Sequence, residues 1–502
     1  MPKREAIAAG LILLFSTFTL ASPDRANDLF IGAKDWIVAN LDQFFTLTAS
    51  GALLLVLALP LIPRFNVRLG ADDERPEFSK LSWFAMLLSA GLASGVLYWA
   101  TAEPLTHFQN SPHLSRAGLA PLSDAAARNA VTLTIFHWGL HGWGFYALTG
   151  LSVSFFAYRK QRPLALSAMI VAPTRAPRLA VAIDLLGVLA TVFGVATSMG
   201  IAVGGMNAAV SELSSLSISP GAQLMILAVV TVLAVVSVLL GLRRGIARLS
   251  QLNLLLSLLL LLAVLLLGPT GFILGFLAST AGDYLVQAIP MGFWTGSSAA
   301  DVAWQGGWTV FYWGWWLAWA PFVGLFIARI SRGRTLREFV IGVLAVPTVA
   351  VICWMAIFGG AALEGELRGG ESILAAVNDD YALGTVAMIK RFGTLTVPLV
   401  VLITVLLFSW LITSLDSAAL VLSTTLRDRE ADRSNAQKAA WGIALGLVTA
   451  ALLTAGGLDA LQAASIVAGL PVGVLLIICG PILVRALLQD TASVSAQPRS
   501  IP

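Results

Sequence analysis

Phe311-Tyr-Trp-Gly-Trp-Trp-Leu-Ala-Trp-Ala-Pro321 holds four tryptophans, a phenylalanine and a tyrosine in eleven residues and carries no charge. The run lies inside an apolar stretch from 308 to 330, and about 20 predominantly apolar residues suffice for a helix to cross a bilayer. Tryptophan at a membrane interface is routine. Here, however, Trp313, Trp316 and Trp319 recur every three residues, so a helix stacks them on one face well inside the span. A ring-lined apolar helix needs other helices around it. The fold is therefore a packed bundle within the membrane.

The rest of the chain agrees. Of 502 residues, 58% are apolar and 12% charged, which excludes an ordinary water-soluble globule. About twelve stretches are long and apolar enough to span, at roughly 5–22, 47–63, 82–101, 131–156, 182–210, 221–242, 251–268, 308–330, 338–362, 395–425, 438–456 and 464–487. With a cytoplasmic N-terminus, 24 of the 31 lysines and arginines fall in inside segments, which predicts an even number of spans and both termini cytoplasmic. The formal charge of +4 thus reports topology and implies no nucleic-acid partner. The first 22 residues also fit a cleaved signal peptide, but losing them would leave an odd number of spans. Cys353 and Cys479 lie in apolar runs and read as small core residues.

Two spans carry residues that interrupt simple helices: Gly91-Leu-Ala-Ser-Gly95 in the third and the run to Pro321 in the eighth. Such breaks free backbone groups that line cavities, and a pair of them in corresponding positions points to an inverted-repeat transporter. Glycine and proline are also simply common in membrane helices. The stretch 270–306 suits an outer segment with a helix along the membrane surface, and the acidic stretch 364–380 an outer loop with its own short helix.

The fourth span repeats the aromatic theme with Trp138, Trp143 and Tyr146. Two such helices face to face make a box for a compact alkylated cation, each ring contributing about 0.5 to 2 kcal/mol. Packing of large rings on Gly139, Gly142 and Gly144 is the plainer explanation. His137 and His141, four apart, have metal-ligand spacing and raise a membrane metal enzyme as a distant alternative, although four histidines in all make polar contacts within the bundle the better reading. In span ten, Thr413 and Ser414 place hydroxyls in an apolar helix. Joined by carbonyls freed at Gly91–Gly95 they would offer a sodium ion hard oxygen ligands; the alternative is that they bond back to their own helix. No GxxxxGK[ST] loop occurs, so no ATP-driven step and no cofactor beyond a coupling ion is expected.

From about Arg68 to Leu487 the chain resembles the betaine/carnitine/choline transporter family, in Gly70-Ala-Asp-Asp-Glu-Arg-Pro-Glu-Phe78, Trp99-Ala-Thr-Ala-Glu-Pro104, His137-Trp-Gly-Leu140, Ala196-Thr-Ser-Met-Gly200, Phe311 to Thr335, and Thr413-Ser-Leu-Asp-Ser417. The resemblance implies an all-α membrane protein with a LeuT-type core of two inverted five-helix repeats, usually a trimer. Repeat one would occupy 81–268 and repeat two 308–487, with two leading helices in 1–80, an outer segment in 269–307 and a short tail in 488–502. It implies a bacterial inner-membrane importer of an onium compound, not an enzyme. By motif position the aromatic box falls on Trp138, Trp143, Tyr146, Trp313, Trp315, Trp316 and Trp319, beside Ala93 and Gly95. The sodium site falls on Thr413 and Ser414 with backbone oxygens near Ser89, Leu92 and Trp410.

Several departures sharpen the expectation. Ala93 replaces the middle glycine of the family's GxGxG, and Ile201 stands where a second sodium site would want a threonine beside Thr197 and Phe322. The side-chain cation that replaces sodium in exchangers of this family is absent around Asn253, so a symporter is expected, sodium before protons. The glycine stretch lacks the aspartate of some choline carriers, which favours the zwitterion glycine betaine over choline, carnitine, ectoine or dimethylsulfoniopropionate. The sequence after Gln489 lacks the long charged tail of osmosensing members, so uptake as a nutrient is expected at least as much as osmotic control.

Overall fold

The computed structural model describes residues 3–91, 94–240, 243–369, 372–425 and 435–495. They form eighteen α-helices: α1 Lys3–Ala21, α2 Pro23–Ala58, α3 Lys80–Gly91, α4 Ser94–Gln109, α5 Pro112–Arg116, α6 Asp124–Trp138, α7 Leu140–Ser154, α8 Pro177–Leu213, α9 Pro220–Leu239, α10 Arg243–Leu267, α11 Thr270–Gly292, α12 Ala299–Gly307, α13 Thr309–Ile330, α14 Leu336–Leu367, α15 Ile373–Asp379, α16 Leu383–Lys390, α17 Thr396–Thr425 and α18 Asn435–Ser495. Among the described residues there is no β-strand, and the protein is an all-helical polytopic membrane protein.

Ten of these units are long and apolar enough to cross a membrane. The difference from twelve lies in broken helices. α6 and α7 are 15 residues each and meet at Gly139 (φ −95°, ψ −136°), so neither spans alone. α3 and α4 are also short and flank residues 92 and 93, which lie outside the described residues. α18 runs 61 residues but leaves helical geometry at Gly456 and Gly457; the latter sits at φ +59°, a conformation glycine adopts without penalty, and divides α18 into two lengths that can each span. α11, expected to lie along the membrane surface, is itself one of the ten.

Three local expectations change. α2 begins at Pro23 and bends at Leu41 (φ −133°, ψ 16°), so the stretch expected to link the first two spans is itself helical. α13 passes through Pro321 as one helix; the interruption falls earlier, at Trp308 between α12 and α13. α18 continues to Ser495, and the Asp490 carboxylate meets Arg159 Nε and Lys160 Nζ, both at 2.5 Å, so the segment after 487 is docked on the bundle through at least Asp490. The short helix expected in 364–380 is α15, and Cys353 and Cys479 are both free.

Burial separates inner from outer helices. In the unit containing α13, 78% of the most apolar window is buried, against 22% for 249–267 in α10, so α13 runs through the middle of the bundle and α10 along its rim. α13 packs on α7, α8 and α18. At one end, two motifs that looked independent in sequence clasp each other. Leu69 N donates to Arg334 O and Gly333 N to Leu69 O, both at 2.8 Å. Arg334 reaches Phe78 O at 2.8 Å and lies 4.1 Å from the Trp83 ring centre, while Arg332 pairs with Glu74. This clasp fixes where α3 and α13 start and end, and so holds the helices that carry the site.

Candidate functional site

The fourth span breaks at Gly139, and the break lets α6 present Trp138 and α7 present Trp143 and Tyr146 to the same face of α13. Trp316 is the hub. Its ring centre lies 6.2 Å from Trp138, 5.8 Å from Trp143 and 4.8 Å from Tyr146. Trp315 faces Trp138 edge-on at 5.7 Å and 81°. These are the separations aromatic pairs favour, and a cation held within about 6 Å of such ring centres is attracted by their negative faces. A side chain at Gly142 would run into the Trp316 ring at 2.3 Å, and one at Gly95 into Trp315 at 2.6 Å and Trp138 at 3.3 Å. Gly95 therefore lies directly behind the two indoles, because only a residue without Cβ allows them so close to α4.

Hydrogen bonds aim the rings. Trp316 Nε1 donates to the His137 carbonyl at 3.0 Å, a group left free by the break that follows at Gly139. Trp315 Nε1 donates to Ser198 Oγ at 3.2 Å and Gly194 O at 3.3 Å; Trp319 Nε1 donates to the same Ser198 Oγ at 3.1 Å. Trp138 Nε1 donates to Glu103 Oε2 at 3.0 Å. Trp138, Tyr146, Trp315 and Trp316 each keep 6 to 8% exposure, whereas Trp143 is sealed, so it supports Tyr146 and Trp316 from behind.

Not every expected ring joins. Trp313 is sealed and packs on Phe136 at 5.3 Å, His141 at 5.8 Å and Phe145 at 6.1 Å, one turn before Trp316 on α13 and outside the ring contacts of the box. Trp319 is tied to Ser198 and to Phe322 (5.4 Å), next to the box rather than within its ring contacts. Ala93 lies outside the described residues. The histidine pair diverges: His137 turns to Glu103, His141 to Trp313.

At the expected ion site, Thr413 Oγ1 donates within its own helix, to Ser409 O and Trp410 O, both at 3.0 Å, and accepts from Asn253 Nδ2 of α10 at 3.3 Å. Trp410 is buried and Ser414 half-buried on α17. Leu92 lies outside the described residues, and Ser89 sits near the end of α3. Among the described residues the Oδ1 of Asn253, a residue 5% exposed, has no hydrogen-bond partner and is a hard oxygen next to Thr413. The Thr197 hydroxyl is occupied by Phe193 O, Leu461 O and Ser465 Oγ at 2.8 to 3.0 Å, and Ile201 is buried.

Reading the sequence assigned no role to Glu103, Tyr312, Ser198 or Asn253. For Glu103 the signal was available, since an ionisable residue inside an apolar span is a functional candidate by default. For the others only the contacts reveal the role.

Broken helices around a buried cluster of indoles define a multi-span membrane transporter rather than an enzyme. The chain belongs to the betaine/carnitine/choline transporter family, whose model, described as "BCCT, betaine/carnitine/choline family transporter", matches residues 5–492. It is 35% identical to a glycine betaine/proline/choline transporter of Vibrio parahaemolyticus, over 97% of this chain and 90% of that one. It is 37% identical to the high-affinity choline transport protein of Escherichia coli, covering 92% of this chain and 68% of the relative. A glycine betaine transporter of Bacillus subtilis is 35% identical over 97% of this chain and 93% of its own.

Proposed function

We propose that the protein imports an onium compound, glycine betaine before choline, by sodium symport with alternating access across the bacterial inner membrane. The observation that carries this reading is the box formed by Trp138, Tyr146, Trp315 and Trp316, whose faces suit a methylated ammonium that needs no strong hydrogen-bond acceptor. Relatives named for glycine betaine and for choline support that class, one of them being named for proline as well. Sodium is favoured by the oxygens gathered around Thr413: its hydroxyl, the carbonyls of Ser409 and Trp410, and the open Oδ1 of Asn253. An oxygen-only set suits a hard cation, and Ser414, Ser89 and Leu92 would complete it. One net positive charge entering across roughly 100 mV supplies about 2.3 kcal/mol, about fifty-fold accumulation. Proton coupling is the second reading for the ion.

The family architecture carries further proposals: inverted repeats over 81–268 and 308–487, a homotrimer, and both termini in the cytoplasm, consistent with the cluster of Arg159, Lys160, Arg332 and Arg334 at the clasped end. The test is uptake of radiolabelled glycine betaine by cells lacking their own carriers, in sodium and in potassium, for the parent protein and Trp316→Ala. Sodium-dependent uptake that drops about a hundredfold in the variant supports box and coupling together. Uptake equal in sodium and potassium removes sodium, and no uptake by correctly inserted protein removes glycine betaine.

A further inference from the structure

Among the described residues Glu103 is the one carboxylate buried completely among the box helices, and each polar group around it can donate. Trp138 Nε1 lies 3.0 Å from Oε2 and the Tyr312 hydroxyl also binds Oε2. His137 Nδ1 lies 2.6 Å and His107 Nε2 3.3 Å from Oε1. An ionised carboxylate only accepts, so four converging donors match it. Thr309 Oγ1, 3.0 Å from His137 Nε2, can donate to that nitrogen, leaving Nδ1–H for Glu103 and the imidazole neutral. Among the described residues no lysine or arginine pairs with Glu103; the basic side chains beside it are the imidazoles of His107 and His137. With the carboxylate ionised and both imidazoles neutral, the cluster would hold one net negative charge in the bundle, one side chain away from the box. A buried charge of this kind is costly unless something positive balances it.

We propose that Glu103 is the counter-charge of the onium headgroup, transmitted through the Trp138 indole, and so a positioning residue that selects cationic headgroups over uncharged isosteres. Two effects act in the same direction. The N–H to carboxylate hydrogen bond is charge-assisted and raises electron density on the ring, which strengthens its face toward a cation. The carboxylate field also acts directly on the headgroup, undamped by bulk water. Gly91–Gly95 contains no acidic residue, so the offsetting charge comes from further along the same span. The inference rests on the onium reading of the box.

Glu103→Gln is a close probe, because the amide oxygen can still accept from Trp138 and Tyr312 while its NH₂ faces His137 Nδ1 and His107 Nε2, which accept once each neutral imidazole moves its hydrogen to the other ring nitrogen. Binding of choline and of dimethylbutanol, its uncharged carbon isostere, is compared in the purified protein. The expected result is about a tenfold loss for choline with dimethylbutanol changed less than about twofold. Equal weakening of both makes Glu103 a purely structural support for Trp138 and overturns the proposal, as does no weakening of either. If Glu103→Gln does not insert, Trp138→Phe keeps a ring and removes the N–H; it must also lose choline more than the isostere, and equal losses overturn the proposal. Where both variants insert, the Glu103→Gln effect must shrink in the Trp138→Phe background. Parent protein that binds dimethylbutanol no more weakly than choline overturns the counter-charge alone. Parent protein that binds no onium at all removes the box reading, and this inference with it.

Discussion

The box and the ion site are built in opposite ways. Around α13 each of the indole N–H groups of Trp138, Trp315, Trp316 and Trp319 is held by a group on another helix: Glu103 on α4, Ser198 and Gly194 on α8, and the His137 carbonyl on α6. On α17 the Thr413 hydroxyl is satisfied by its own helix, with one outside contact from Asn253. The rings are therefore preorganised before any ligand arrives. The Thr413 oxygen must instead give up a bond to its own helix when a cation binds, and back-bonding hydroxyls of this kind cost little to release. A transporter gains from the asymmetry, since an ion whose site is completed only on binding can bias the conformation in which the box opens.

The widest separation between the two regions is expected from Trp316→Ala. It removes the hub that touches Trp138, Trp143 and Tyr146, with a loss of about 2 to 3 kcal/mol, about a hundredfold in half-saturating substrate at fixed sodium. Next, Thr413→Ala with Ser414→Ala should raise half-saturating sodium about tenfold while the substrate constant at saturating sodium stays within about twofold. Sodium dependence unchanged in that double variant would return these hydroxyls to a helix-internal role. A smaller change is expected from Ser198→Ala. Trp315 keeps Gly194 O, but Trp319 loses its acceptor, and one buried donor left unpaired costs about 1 kcal/mol, about fivefold in substrate affinity if Trp319 borders the box.

How much of this could be read in the sequence follows the same division. Ring clusters at fixed spacing on two spans gave away the box, since few other uses put so many indoles inside the bilayer. Helix breaks were harder: Gly139 and Trp308 interrupt, whereas Pro321 does not, because α13 carries on where a proline has removed one donor. Spacing alone also set Trp313, Trp316 and Trp319 on one face. At about 100° per residue, steps of three drift around the helix, and which end of the arc meets α7 depends on packing that no periodicity encodes. Glu103 was visible as a residue type with His107 one turn along, while its other three donors come from α6 and α13.

Trp313 provides the finest test of the comparison, because it sits on the same helix as Trp316 and differs mainly in the direction it faces. Its ring is sealed against Phe136, His141 and Phe145, and among the described residues its N–H has no partner. Trp313→Phe leaves a ring in that packing and removes an unpaired donor, so the substrate constant should change less than about twofold and thermal stability should fall by no more than about 1 kcal/mol, the smaller ring's lost packing being offset by the donor removed. The comparison is with Trp316→Phe, which discards an N–H bonded to the His137 carbonyl at 3.0 Å and should weaken substrate binding about tenfold. Similar losses from the two changes would mean that Trp313 also meets substrate, in a conformation other than this one. Unequal losses would confine the box to the rings gathered around Trp316, although both indoles pack on α6 and α7.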